Sequence, residues 1–380
     1  MNFVALKPRP SPTLHARPMR IAGMASALPP HRYPQAAITQ AVKRLWGGRL
    51  ERPELQLLER LHARTGVEHR HLALPLERYG EFKSWGEMNQ AWIEAAQELG
   101  AEALGQALTN AGLRRDELDA LFVVSITGLA SPSLDARLIN RMGLRPDIRR
   151  TPIFGVGCVG GALGLSRAAD HTLAYPGQIA AILSVELCSL TLQRGDVSTT
   201  NFVATGLFGD GAAAAIVAGP DVARGAGPGH AASGVREPQI LASSSVFFPE
   251  TEHIMGWDIS GDGFKIVLSP QLPALIRSRL AHDVDAFLAR HGLARADIGS
   301  WVIHSGGPKV LDAVQATLGL ADRDLAPSWD SLRRVGNLSS TSVLMVLENV
   351  IADDPPAPGT LGVLLAMGPG FCAELILLRW

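Results

Sequence analysis

Cysteine is scarce: the 380-residue chain has three, Cys158, Cys188 and Cys372. Three thiols cannot make a disulfide scaffold, and no two form the C-x-x-C pair of a structural zinc site. A reducing, cytoplasmic setting is the default expectation. Charge is also low, at 19% of residues, and balanced, with 35 Lys and Arg against 36 Asp and Glu. That balance excludes the basic excess of a protein that wraps nucleic acid. Long apolar runs are missing. The most apolar stretch, residues 361–378, is interrupted by Gly368-Pro369-Gly370 and Glu374. It reads as two buried strands around a turn, not as a membrane span. No acidic residue precedes Glu51, and the first twenty residues hold Lys7, Arg9, Arg17, Arg20 and four prolines. Without an apolar segment this is no secretory signal. A loose tail over residues 1–19 is expected, with a faint likeness to a transit peptide.

What the chain has in quantity is glycine, 39 residues, and apolar side chains, at 47%. That is ample core material for about two to three domain-sized units. Short aliphatic runs alternate with helix-like segments. Leu121–Ser125, Ile179–Glu186, Ser300–His304 and Leu361–Ala366 read as buried strands, and Ala101–Ala111 as a helix. Such alternation predicts an α/β fold with largely parallel strands. Residues 221–238 are rich in Gly, Pro and Ala without periodicity, which predicts a linker or surface loop. It would separate a half spanning residues 20–220 from one spanning 239–380. The two sides follow one plan. A strand ends at Ser125 and Cys158 follows after a Gly-rich turn; a strand ends at His304 and Asn337 follows at the same spacing. Two similar α/β halves would bring equivalent loop ends together at a site.

Gly155-Val-Gly157-Cys158-Val-Gly160 satisfies G-x-G-x-x-G, with Glu186 further along at a strand end. Alone this is a weak dinucleotide signal, and it would make the protein a dehydrogenase. A cysteine on a tight turn before a helix fits better, because free N–H groups and the helix dipole stabilise a thiolate. An inert buried cysteine is the rival reading. His304 stands at a strand end before Ser305-Gly306-Gly307-Pro308, where it would suit a cationic partner for that thiolate. Asn337 has its own plain reading as a turn or cap residue.

Five segments carry a more specific likeness: Gly155–Gly161 (GVGCVGG), Leu207–Val217 (LFGDGAAAAIV), Ile303–Pro308 (IHSGGP), Val335–Ser340 (VGNLSS) and Ala366–Phe371 (AMGPGF). In order and spacing they resemble the type III polyketide synthases, the chalcone synthase-like group, across residues 20–380. The resemblance implies a homodimer with a duplicated thiolase fold, layered α-β-α-β-α. It implies extension of an acyl-CoA starter with malonyl-CoA, with no metal or redox cofactor. By the same resemblance Cys158 accepts the acyl chain, and His304 is its imidazolium partner. His304 and Asn337 donate to the malonyl thioester oxygen. Phe208 matches an aromatic gate, and Phe264 a second one. Arg60 and Arg64, at i and i+4, match CoA-contacting cations, with Gly306, Gly307 and Lys309 also on the CoA side. A third cationic position falls on Leu57.

The positions that match cavity residues depart from the plant pattern. They are Cys188, Thr191 and Ile126, with Ser131 where a methionine would reach across the dimer, and Ser339 retained. Together with Met255–Ser269 (MGWDISGDGFKIVLS) they resemble the bacterial branch. Small residues at 188 and 191 suggest a medium- to long-chain fatty acyl-CoA starter and an alkylpyrone or alkylresorcinol product. Alternatives are a phloroglucinol- or tetrahydroxynaphthalene-type synthase using mainly malonyl-CoA, and a β-ketoacyl-carrier-protein synthase making one condensation. A binding protein on the same scaffold is a further reading.

Overall fold

The structure, a computed structural model, describes residues 17–223 and 237–380. Most of the expected tail (1–19) and of the expected linker (221–238) lies outside the described residues. The strands are β1 (Met19–Ala27), β2 (His31–Pro34), β3 (His69–Leu72), β4 (Ala120–Val124), β5 (Arg149–Ile153), β6 (Ile179–Leu187), β7 (Asp210–Ala218), β8 (Gln239–Phe247), β9 (Met255–Ser260), β10 (Gly263–Leu268), β11 (Ile298–Ile303), β12 (Leu361–Gly368) and β13 (Cys372–Arg379).

Nine of them form one mixed sheet in the order β11-β12-β13-β8-β1-β7-β6-β4-β5. Its middle is thin: β1 and β8 share only the pairs Met19↔Ile240 and Arg20↔Gln239. On either side the pattern repeats. The run β1-β7-β6-β4 is matched by β8-β13-β12-β11, each with two antiparallel steps and then a parallel one. Val124 pairs with Ser184 in one half and Ile303 with Leu365 in the other, so the chain leaves equivalent strand ends at Ser125 and His304.

The expectation of largely parallel strands is corrected. Only β4–β5, β4–β6 and β11–β12 are parallel within the large sheet. The cause is burial: helices cover both faces, so antiparallel strands such as β6 and β7 are buried along their whole length and lack the alternation that marks a half-solvated sheet.

Three apolar clusters set the layers. The helix Trp85–Asn110 packs on the outside of the first half. The helices Leu272–Ala289 and Pro308–Leu318 pack on the outside of the second. Between the halves lie the helices Gly160–Ala174 and Thr341–Asp353. Both are buried over their N-terminal turns, and their exposed residues fall at their C-terminal ends. Their contact needs Gly161: a Cβ there would sit 2.1 Å from the Ser340 carbonyl oxygen. Among the described residues no helix is long and apolar enough to cross a membrane.

Candidate active site

Both central helices begin at the same end of the molecule, and the turns that feed them carry Cys158 and Asn337. Cys158 lies in a short 3-10 turn, Gly157–Val159, directly before its helix. Gly157 has φ +53°, and a Cβ there would meet the Pro369 ring at 2.6 Å, so neither the conformation nor the space admits a side chain. Cys158 is buried, and its Sγ lies 3.6 Å from the Ser339 Oγ. Ser339 itself has φ +50°, an uncommon backbone for a residue with a side chain.

Asn337 is held from every side. Its N–H donates to the Leu207 carbonyl at 2.9 Å, and its own carbonyl accepts from the Gly209 N–H at 3.0 Å. This bridge locks Asn337 beside Phe208. The side-chain Oδ1 accepts from the Ser339 N–H at 2.8 Å, which turns the Nδ2 toward the Gly306 carbonyl, 3.1 Å away. One Nδ2 proton remains for a ligand. His304 follows β11 and is tied to β12 by its N–H to the Leu365 carbonyl, 3.0 Å. Its ring is buried, and its Nδ1 has no hydrogen-bond partner.

Cys158, His304 and Asn337 all line one cavity of about 1040 Å³. The other sequence candidates that line it are Phe208, Phe264, Cys188, Thr191, Ile126, Ser339, Arg64, Lys309, Gly306 and Gly307. Arg60 does not. The expectation that Arg60 and Arg64 share a helix face is corrected, because the helix Arg52–Ala63 ends before Arg64, which stands in its C-cap with ψ near 4°. Arg64 and Lys309 are exposed at the cavity mouth. Arg44 joins them there and was missed, because an exposed basic residue at a helix end has the sequence signature of a solvated face.

Phe264 is corrected from gate to wall. It is fully buried, with ring centroids 5.5 Å from Trp85, 5.9 Å from Trp257 and 6.2 Å from Phe154. A side chain packed on three rings does not swing. Phe208, by contrast, is only partly buried. Trp257, also missed, lines the cavity and donates to the Ile126 carbonyl at 3.0 Å.

The electrostatics reverse one expectation. Burial pushes the Cys158 thiol up to about 12, outweighing the Ser339 hydroxyl and the Cys158 backbone N–H, both of which lower it. Burial likewise holds the His304 imidazole down at about 4. Each shift is the cost of carrying charge alone in a dry site. A proton passed from Cys158 to His304 creates opposite charges in one cavity, and their attraction reduces the combined cost. Glu186, noted with the dinucleotide pattern, does not line the cavity. It is fully buried and accepts from the Ile126 N–H at 3.1 Å, from the Thr127 hydroxyl at 2.9 Å, and from Ser125 and Ser340. The G-x-G-x-x-G letters thus serve the packing of Cys158, not a pyrophosphate.

The family models for chalcone and stilbene synthases match the chain twice, the N-terminal domain at residues 18–221 and the C-terminal domain at 239–380. A 1,3,6,8-tetrahydroxynaphthalene synthase of Streptomyces peucetius subsp. caesius is 50% identical over 369 residues, 97% of this chain and 95% of that protein. A 3,5-dihydroxyphenylacetyl-CoA synthase of Streptomyces toyocaensis is 37% identical, covering 83% of this chain and 80% of its own length. Among solved structures, the 1,3,6,8-tetrahydroxynaphthalene synthase of Streptomyces coelicolor A3(2) superposes with a TM-score of 0.86 at 29% identity, over 96% of this chain and 99% of that one.

Proposed function

The chain belongs to the chalcone and stilbene synthase family, the type III polyketide synthases, and within it we propose a synthase that builds an aromatic polyketide of the tetrahydroxynaphthalene type chiefly from malonyl-CoA. The observation that carries the chemistry is the convergence of Cys158, His304 and Asn337 on one cavity. The 50% identity to a tetrahydroxynaphthalene synthase over nearly the whole chain supports the product class.

The Cys158 sulfur, deprotonated by His304, attacks the CoA thioester of the first unit and displaces CoA. A malonyl-CoA then places its thioester oxygen against the Asn337 Nδ2 and the His304 ring. Loss of CO2 leaves an enolate, and negative charge gathers on that oxygen. Donors held in place before the charge appears contribute roughly 3–4 kcal/mol each. Asn337 is such a donor, because its amide is already oriented by Ser339 and Gly306. The enolate carbon attacks the Cys158 thioester and expels the cysteine thiolate, which leaves the lengthened chain on CoA; Cys158 takes the chain back by displacing that CoA, and the cycle repeats. Arg44, Arg64 and Lys309 supply cations for CoA phosphates at the mouth.

A fatty acyl starter is the second reading. It is favoured by the apolar side chains Ile38, Val42, Leu45, Leu61 and Val203 in the lining of the cavity. We further propose a homodimer, supported by the exposed edge strand β5, by Phe154 exposed directly after it, and by the exposed Leu129 just before the Ser131-Pro132 loop. Incubation of the purified protein with malonyl-CoA alone, then with C6–C18 acyl-CoAs added, tests the product. A ten-carbon aromatic from malonyl-CoA alone is expected. Turnover only when an acyl-CoA is present would overturn the malonyl reading in favour of the acyl-primed one.

A further inference from the structure

Condensation, as described, uses Cys158, His304 and Asn337. A second group of polar side chains opens onto the same cavity and takes no part in it. Tyr79 and Ser189 both line the cavity. Tyr79 is otherwise buried, and Ser189 is half-buried in the turn that follows β6. The Tyr79 hydroxyl lies 2.6 Å from the Ser189 Oγ. The Ser189 hydroxyl in turn donates to the Asp210 Oδ2. Serine has one hydroxyl proton, and Asp210 receives it, so the proton between Tyr79 and Ser189 belongs to Tyr79. The hydrogen bonds therefore run in one direction, from Tyr79 through Ser189 to a fully buried carboxylate. Asp210 is fixed from behind by the Ser189 N–H at 2.8 Å and the Ala73 N–H at 2.6 Å. The Tyr79 oxygen accepts from the Leu74 N–H at 3.2 Å and keeps a lone pair.

We propose that Tyr79, Ser189 and Asp210 form a proton relay for ring closure of the poly-β-keto chain while it is held on Cys158. The inference rests on the aromatic product proposed above. An aldol closure breaks a C–H bond between two carbonyls. Its electron pair forms the new C–C bond, and the π pair of the attacked carbonyl moves onto oxygen. The carbon's proton passes to the Tyr79 oxygen as Tyr79 gives its own to Ser189 and Ser189 gives its own to Asp210. The reverse transfers deliver a proton to the new alkoxide, so the relay ends as it began and nothing else is consumed. Burial raises Asp210 to about 6, which brings this carboxylate closer to accepting a proton near neutral pH.

The test compares the parent protein with Tyr79→Phe, Ser189→Ala and Ser189→Thr on malonyl-CoA, reading CoA release and product identity together. Thermal stability is read alongside. The relay requires that Tyr79→Phe and Ser189→Ala lower the share of ring-closed aromatic product about tenfold, toward lactones and open-chain acids, while CoA release falls far less. Ser189→Thr, which keeps the hydroxyl, retains the aromatic share. An unchanged aromatic share in folded Tyr79→Phe or Ser189→Ala overturns the relay, as does equal loss of CoA release and ring closure. Should Tyr79→Phe fail to fold, the Ser189 pair decides. A parent that makes only lactones overturns the product reading and the relay with it, and that outcome is visible before any variant is made.

Discussion

At the scale of single residues, division of labour between Cys158 and Asn337 is the sharpest expectation. Cys158→Ala removes the acyl acceptor but leaves the amide that receives the malonyl thioester. Loading, read by intact mass spectrometry, should vanish while malonyl-CoA decarboxylation persists. Asn337→Ala should do the reverse: loading continues and decarboxylation falls about 10²–10³-fold, the usual cost of removing one preorganised donor. Identical effects of the two substitutions would contradict the assignment. Cys158, His304 and Asn337 were legible in the sequence because each sits in a short Gly-containing segment of distinctive letters. Arg44, Tyr79, Ser189 and Trp257 were not. Their roles come from where helix ends and strand ends meet, and their local sequence resembles any solvated face or core aromatic.

At the scale of elements, the two central helices decide whether the site exists. Their starts carry Cys158 and follow Asn337, and their approach is limited by Gly161 against the Ser340 carbonyl and Val343. Gly161→Ala adds one methyl group where backbone already stands. Overpacking of this kind costs roughly 1–3 kcal/mol, and more when the obstacle is backbone that cannot turn aside. The expected result is a lower urea midpoint together with slowed loading of Cys158, since the helix that orients it must shift. A stable variant with parent loading would show that the helices can separate freely. Four of the thirteen strands among the described residues were delimited in the sequence, with nearly correct limits: Ile179–Glu186 was expected and Ile179–Leu187 formed. Their direction was misjudged, because full burial on both faces erases the period-two signal in parallel and antiparallel strands alike.

At the scale of the whole molecule, buried ionisable groups oppose one another. His62 and His304 are both held near 4, so the unfolded chain binds protons there that the folded one does not. Their contribution is complete above 6.5 and is lost as pH falls toward 4. Glu186 and Asp210 are raised to about 7 and about 6. The folded chain keeps their protons where the unfolded one releases them, so their contribution is present at low pH and lost as pH rises through those values. Each group contributes about 3 kcal/mol, at 1.36 kcal/mol per pH unit. His71 adds a smaller contribution of the first sign, and Asp283 and Glu348 add smaller ones of the second. Stability is therefore expected to change little between pH 4.5 and 6.5. Glu186→Gln removes one falling contribution and should leave stability rising by about 3 kcal/mol over an interval near that range, read by urea unfolding. A variant slope equal to the parent's would contradict the buried position of this carboxylate.

The sequence by itself determined the family, and it pointed to two similar halves and to Cys158, His304 and Asn337, the three residues proposed for condensation. These depend on short segments whose glycines and polar residues have few substitutes: Gly157 for its conformation, Gly161 for its contact, Asn337 for its oriented amide. Only the tertiary structure decided what surrounds them. It placed Arg60 off the cavity, turned Phe264 into a wall, and put Glu186 behind the site rather than in it. It also joined Tyr79, Ser189 and Asp210 from three distant stretches of chain. The physical reason is range. Turn conformation and helix starts are set by neighbours in sequence, whereas burial, desolvation and hydrogen-bond partners are set by whatever the fold brings within a few ångströms. The scarcity of cysteine belongs to both levels: composition excluded disulfides, but only the fold showed Cys158 and Cys188 lining one cavity and Cys372 outside its lining.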